Sequence, residues 1–149
     1  MKLIETVRYW LIKEKIGLIS NNDLMISIDE QILKLDDPPD YLISISLAEE
    51  LNRIPRLDFV MDQVKNEDCS RVARDIIEWL NKKDSTFDDI GLFSLNLCKI
   101  LDKQESCYEK FSWIDDEIYL MNEGVKDEVQ SKKDILEVIT EMARYNKVN

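Results

Sequence analysis

Histidine is absent from the 149-residue chain. That removes the base of Ser-His-Asp and Cys-His nucleophile activation, the common zinc sites and the Glu-x-x-His di-iron pattern of helical bundles. Glycine, proline and cysteine number only three each. Gly17, Gly91 and Gly124 stand apart, so there is no glycine-rich phosphate loop, and no Asp-x-Asp-x-Asp-Gly calcium loop occurs. No Asn-Gly, Asp-Gly or Gly-Gly pair signals a hairpin. Cys69, Cys98 and Cys107 include no Cys-x-x-Cys. An odd count without a disulfide framework is expected to mean reduced thiols in a cytoplasmic protein, with Cys98 as a small core residue. No apolar run approaches the roughly 18 residues of a membrane span. The opening MKLIETVRYWLIKEKIG is broken by Glu5, Arg8 and Lys13, so it reads as a folded helix rather than a signal peptide.

What is present is an apolar fraction of 44%, close to the globular norm, and a net charge of −11. A chain of this length can bury one real core. A field of that sign repels phosphate backbones and anionic lipid, so direct nucleic-acid or membrane binding is not expected. It attracts cations and basic protein surfaces, although strong charge also serves plain solubility.

Apolar residues recur every three to four positions, the period of a buried helix face. Leu3, Val7, Trp10 and Leu11 line a first helix closed by Gly17. Leu24, Ile28, Ile32 and Leu35 line a second, capped by Asn22. In LDDPPDYLISISLAEELNRI, residues 35–54, Asp37 and Pro38 precede prolines and are pushed toward extended backbone. Pro39 then suits the first helical position and Asp40 the positive helix end. Ile43, Leu47, Leu51 and Ile54 are the expected inner face. Residues 41–46 also alternate like a strand, but the unbroken Ser46–Leu51 continuation favours helix. A short helix over Leu57–Val64 follows, and one capped by Ser70 with Val72, Ile76, Trp79 and Leu80 inward. The next, starting at Asp84 or Ser85, is apolar on nearly every side, which places it in the middle of a bundle. Ser112–Asp115 resembles a capping box, and Ser131–Asp134 opens the last helix. The expected fold is all-α: one compact domain, residues 1–149, of about eight short helices with a central apolar helix near residues 88–102.

Three adjacent acid pairs recur: Asp36–Asp37, Asp88–Asp89 and Asp115–Asp116. Neighbours on a helix point about 100° apart and do not converge on one ligand, so no metal, cofactor or catalytic role is assigned to them. Trp10 and Trp79 belong to apolar stripes and are expected in the core. Trp113, beside Asp115, Asp116 and Glu117, is the type of aromatic enriched at interfaces. The acid is also clustered. Residues 21–40 carry six acids against Lys34, and residues 104–128 carry eight against Lys110 and Lys126. Together these stretches hold the whole excess. If they form a negative patch near Tyr41, Tyr108, Trp113 or Tyr119, it suits capture of a basic protein. The partner-binding candidates are therefore Asp115, Asp116, Trp113, Glu117, Asp36, Asp37, Asp88 and Asp89.

The segment KIGLISNNDLMISIDEQILKLDDPPDYLISISL, residues 15–47, resembles the small acidic immunity proteins that partner bacterial contact-dependent growth-inhibition toxins and other polymorphic toxins. There a Gly-Leu-Ile-Ser turn leads to an acidic helix and then a Pro-Pro start. The resemblance implies a cytoplasmic helical protein that binds and neutralises one cognate toxin domain, often a nuclease. The absent catalytic motifs add the expectation of no enzymatic activity, and the expected state is a monomer or a 1:1 complex with a basic toxin domain. The alternative is a helical adaptor or regulatory subunit that meets another basic surface. A DNA mimic and an enzyme of unfamiliar type are the remaining readings.

Overall fold

A computed structural model describes residues 2–48, 66–82, 85–101, 103 and 105–144. The fold is all-helical, with seven helices among the described residues: α1 (Leu3–Ile16), α2 (Asn21–Lys34), α3 (Asp40–Leu47), α4 (Asn66–Leu80), α5 (Phe87–Ile100), α6 (Ser106–Asn122) and α7 (Glu128–Ala143). The helix expected over Leu57–Val64 lies outside the described residues. Packing gathers the chain into two compact units, residues 1–63 and 64–149.

In the first unit α1 packs on α2 and α2 on α3. Val7, Leu11, Leu24, Ile28, Leu42 and Ile45 form one buried cluster, with Trp10, Ile32 and Leu35 packed against it. Gly17 ends α1 with φ 94°, a conformation that favours glycine, and the Leu18 N–H reaches back to the Lys13 carbonyl at 2.9 Å. The cap of α2 is Ser20, two residues before the expected Asn22. The Ser20 hydroxyl accepts from the Asp23 N–H, and the Asp23 carboxylate accepts from the Ser20 N–H. Residues 41–46 are helix, and Pro39 caps it. The inner face of α3 is Leu42 and Ile45, not Ile43 and Leu47. Pairing with α2 turns that stripe outward, and α3 stops at Leu47 with an extended Ala48.

In the second unit α5 packs on α6, α6 on α7, and α7 on α4. Three contacts show that α5 and α6 run antiparallel. Gly91 lies against Ile118, the Asn122 amide donates to Asp88 at 2.7 Å, and Cys98 Sγ lies 3.7 Å from the Tyr108 carbonyl. Trp79 meets Phe93 edge-on at 5.1 Å, which ties α4 to α5. The apolar helix expected near 88–102 buries Ile90, Phe93 and Leu97, while Leu92 and Leu95 emerge on its other side.

Several caps fall elsewhere than expected. Thr86 caps α5 through the Asp89 N–H, and Asp127 caps α7 through the Gln130 N–H at 2.9 Å. Ser70, Ser112 and Ser131 lie inside helices instead. The stripe Cys107, Phe111, Ile114, Ile118, Met121 runs straight past Ser112 with no breaker, so α6 begins at Ser106. A second correction concerns the thiols. Cys69 and Cys107, expected to be reduced, are joined as a disulfide between α4 and α6, with Cα atoms 6.6 Å apart. Cys98 is the half-buried free thiol.

A methyl built on Gly91 would meet Ile118 at 3.4 Å, an ordinary contact. Gly91→Ala should therefore raise the unfolding free energy by about 0.5–1 kcal/mol, because glycine is a poor helix-interior residue. Urea titration checks this, and a lower midpoint would mean that the α5–α6 spacing has no room to give.

Candidate protein-binding faces

Asp36 and Asp37 sit exposed in the connector between α2 and α3. The side of α2 turned away from its core carries Ile26 and Leu33, seven residues apart and so on one stripe. Asp29 and Glu30 lie between them. The corresponding side of α3 carries Asp40, Ile43 and Leu47, spaced by three and four. Ser46 of α3 donates to the Asp29 carboxylate, which locks the two helices side by side. Their outer stripes thus form one face. Leu33 is 86% exposed and Leu47 78%, with Ile26 and Ile43 also exposed. Four large apolar side chains in water, interspersed with Asp29 and Glu30 on α2 and accompanied by exposed Asp36, Asp37 and Asp40 in the connector and at the start of α3, combine apolar and charged surface as interfaces do.

The α5–α6 hairpin carries a smaller version. Asp88, Leu92 and Leu95 follow one another along the outer side of α5, and Asp115, Tyr119 and Asn122 along the adjoining side of α6. The Asn122–Asp88 hydrogen bond joins the two rows. Leu92 is 53% exposed and Tyr119 63%. Partial burial, then the charge of Asp116, pushes the Asp115 carboxyl above the ordinary range. Its ionisation at neutral pH therefore weighs against the folded state, a burden that lifts as pH falls through its folded value.

The same carboxylates bear on Cys98. Burial first, then Asp115 and Asp116, pushes its thiol up to about 11. At pH 8 iodoacetamide should alkylate Cys98 about a hundredfold more slowly than a cysteine peptide, with the rate climbing about tenfold per unit of pH. Mass spectrometry of quenched samples reads this, and reaction at the peptide rate would contradict it.

The structure thus separates the sequence candidates. Asp36 and Asp37 lie exposed in the connector between the helices of the first face, and Asp88 and Asp115 share the second. Asp116 is exposed on α6. Asp89 is engaged at its own helix start, where its carboxylate accepts from the Thr86 hydroxyl at 2.8 Å. Trp113 does not begin a helix. It lies half-buried in mid-α6, two positions from Asp115 and so turned about 200° from it. Glu117 is not a surface residue. It is 3% exposed, accepts from Lys126 at 2.6 Å and from Ser131 at 3.2 Å, and ties α6 to α7. Leu33, Leu47, Ile26 and Ile43 were not among the sequence candidates. One signal pointed to the first of them: the stripe Leu24, Ile28, Ile32, Leu35 leaves Leu33 with no inner position.

Among the described residues no group of three or more Cys, Asp or Glu is arranged to hold a metal ion, and no helix is long and apolar enough to cross a membrane. No family model matches the chain, and neither a curated protein nor a solved structure matches it.

Proposed function

We propose that this chain is an immunity-type inhibitor that binds and neutralises a cationic toxin domain through the α2–α3 face. The observation that carries the reading is the company of Leu33 and Leu47: two nearly bare leucines, on helices joined by the Ser46–Asp29 hydrogen bond, in segments that also expose Asp29, Glu30, Asp36, Asp37 and Asp40. Apolar anchors slow dissociation once buried, while rim charges steer encounter with a basic surface. A nuclease holds phosphates with Lys and Arg, so its cleft supplies that complement. The face lies within residues 15–47, the segment that resembles immunity proteins.

The test is co-expression with the toxin domain encoded beside this chain. The wild-type chain should restore growth and bind the purified domain 1:1. Asp36→Lys with Asp37→Lys should lower the association rate constant about tenfold at low salt and flatten its salt dependence, leaving dissociation nearly unchanged. Growth that is not restored would remove the inhibitor reading. An adaptor would give no rescue but would co-purify with a larger assembly through the same face.

A further inference from the structure

The Cys69–Cys107 bond borders an open cleft of about 170 Å³. Both cysteines line it, together with Ser70, Ser106, Lys110 and Arg144. Cys69 is 1% exposed and Cys107 5%, so what little access the cleft gives is to Cys107. One carboxylate, Glu141, also lines the cleft and lies 3.8 Å from the Lys110 ammonium. The walls therefore hold two cations against one acid, on a chain whose net charge is −11. A basic recess that opens on a disulfide is suited to a small reagent that is both nucleophilic at sulfur and negatively charged.

We propose that Cys69–Cys107 is a thiol-exchange site for low-molecular-weight anionic thiols, which Lys110 and Arg144 draw into the cleft. The reagent's thiolate attacks Cys107 Sγ and forms a mixed disulfide there. The Cys69–Cys107 bond breaks, and Cys69 leaves with the electron pair and takes a proton from water. A second thiolate attacks the reagent's own sulfur in the mixed disulfide and releases Cys107. Two thiols are oxidised to one external disulfide while the protein's cystine becomes two cysteines. The α4–α6 link is thereby opened without unfolding. This assignment is independent of the α2–α3 face.

The probes are 2-mercaptoethanesulfonate and 2-mercaptoethanol, which share a mercaptoethyl arm and differ in the charge of the terminal group. They are applied to the full chain carrying Cys98→Ser, so that no third thiol can reshuffle the bond. Alkylation and intact mass follow the loss of the disulfide. Lys110→Gln with Arg144→Gln should lower the sulfonate-to-neutral rate ratio about tenfold and leave the neutral thiol's rate unchanged. An unaltered ratio would overturn the cleft's role. So would exchange that accelerates with urea as steeply as global unfolding does, because the bond would then open only in the unfolded chain. Two free thiols at Cys69 and Cys107 in the air-oxidised native protein would overturn the site itself.

Discussion

Replacing Leu33 and Leu47 together by glutamine should weaken the proposed complex with a cationic toxin domain at least a hundredfold, with the free protein's stability within about 0.5 kcal/mol of wild type. At 86% and 78% exposure the two side chains bury little apolar area in the unbound chain, so folding loses little when they become polar. Glutamine keeps nearly the helix propensity of leucine. In the complex the balance differs, since a fully buried leucine contributes roughly 1.5–3 kcal/mol. Two of them amount to about 3–6 kcal/mol, and each 1.4 kcal/mol is tenfold in affinity. The loss should appear mainly in the dissociation rate. Calorimetry with the partner and urea unfolding of the free chain give the two numbers. An unchanged Kd would show that the α2–α3 face is not the interface. In that event Asp115→Lys with Asp116→Lys becomes the informative variant, because it recharges the side of the hairpin that carries Leu92 and Tyr119.

The second large effect is on stability. Cys69→Ala with Cys107→Ala should destabilise the 64–149 unit by about 4 kcal/mol, the loop-closure entropy expected for a cross-link spanning 38 residues. Domains of this size are stable by only about 5–15 kcal/mol in all, so the thermal and urea midpoints should fall visibly. The staple also has few substitutes. Trp79 against Phe93 ties α4 to α5, and α4 otherwise leans chiefly on α7. Dithiothreitol on the wild-type chain should reproduce the shift and have no effect on the double variant. Equal midpoints with and without reductant would mean that the α4–α6 packing is held by apolar burial alone.

Glu117 shows why a cluster of acids in sequence is not yet a patch. It follows Asp115 and Asp116 directly, yet the turn of α6 carries it inward to Lys126 and Ser131 while Asp116 remains in water. Trp113 is divided from Asp115 by the same rotation. In both cases the helix's roughly 3.6 residues per turn decide, and a count of charge along the chain ignores it.

The caps teach a related lesson. Ser70, Ser112 and Ser131 each match a local start pattern, and each lies inside a helix. Hydroxyls and carboxylates compete for backbone N–H groups at several nearby positions, and a pattern of four residues does not say which wins. Where the apolar stripe continues unbroken, as from Cys107 to Met121, burial outweighs a cap, because each buried side chain contributes more than one hydrogen bond does.

That this protein is helical was already legible along the chain. Period-3.6 apolar stripes, the near absence of glycine and the lack of hairpin dipeptides act over a few residues, and local rules suffice to read them. The sequence also settled the missing histidine and the sign of the charge, which composition alone carries. That Cys69 meets Cys107, that Glu117 goes inside, and that Leu33 and Leu47 remain exposed follows from the packing of the helices. Those outcomes depend on which helix lies beside which, and so on contacts between residues far apart in the chain, whose partners no local spacing encodes.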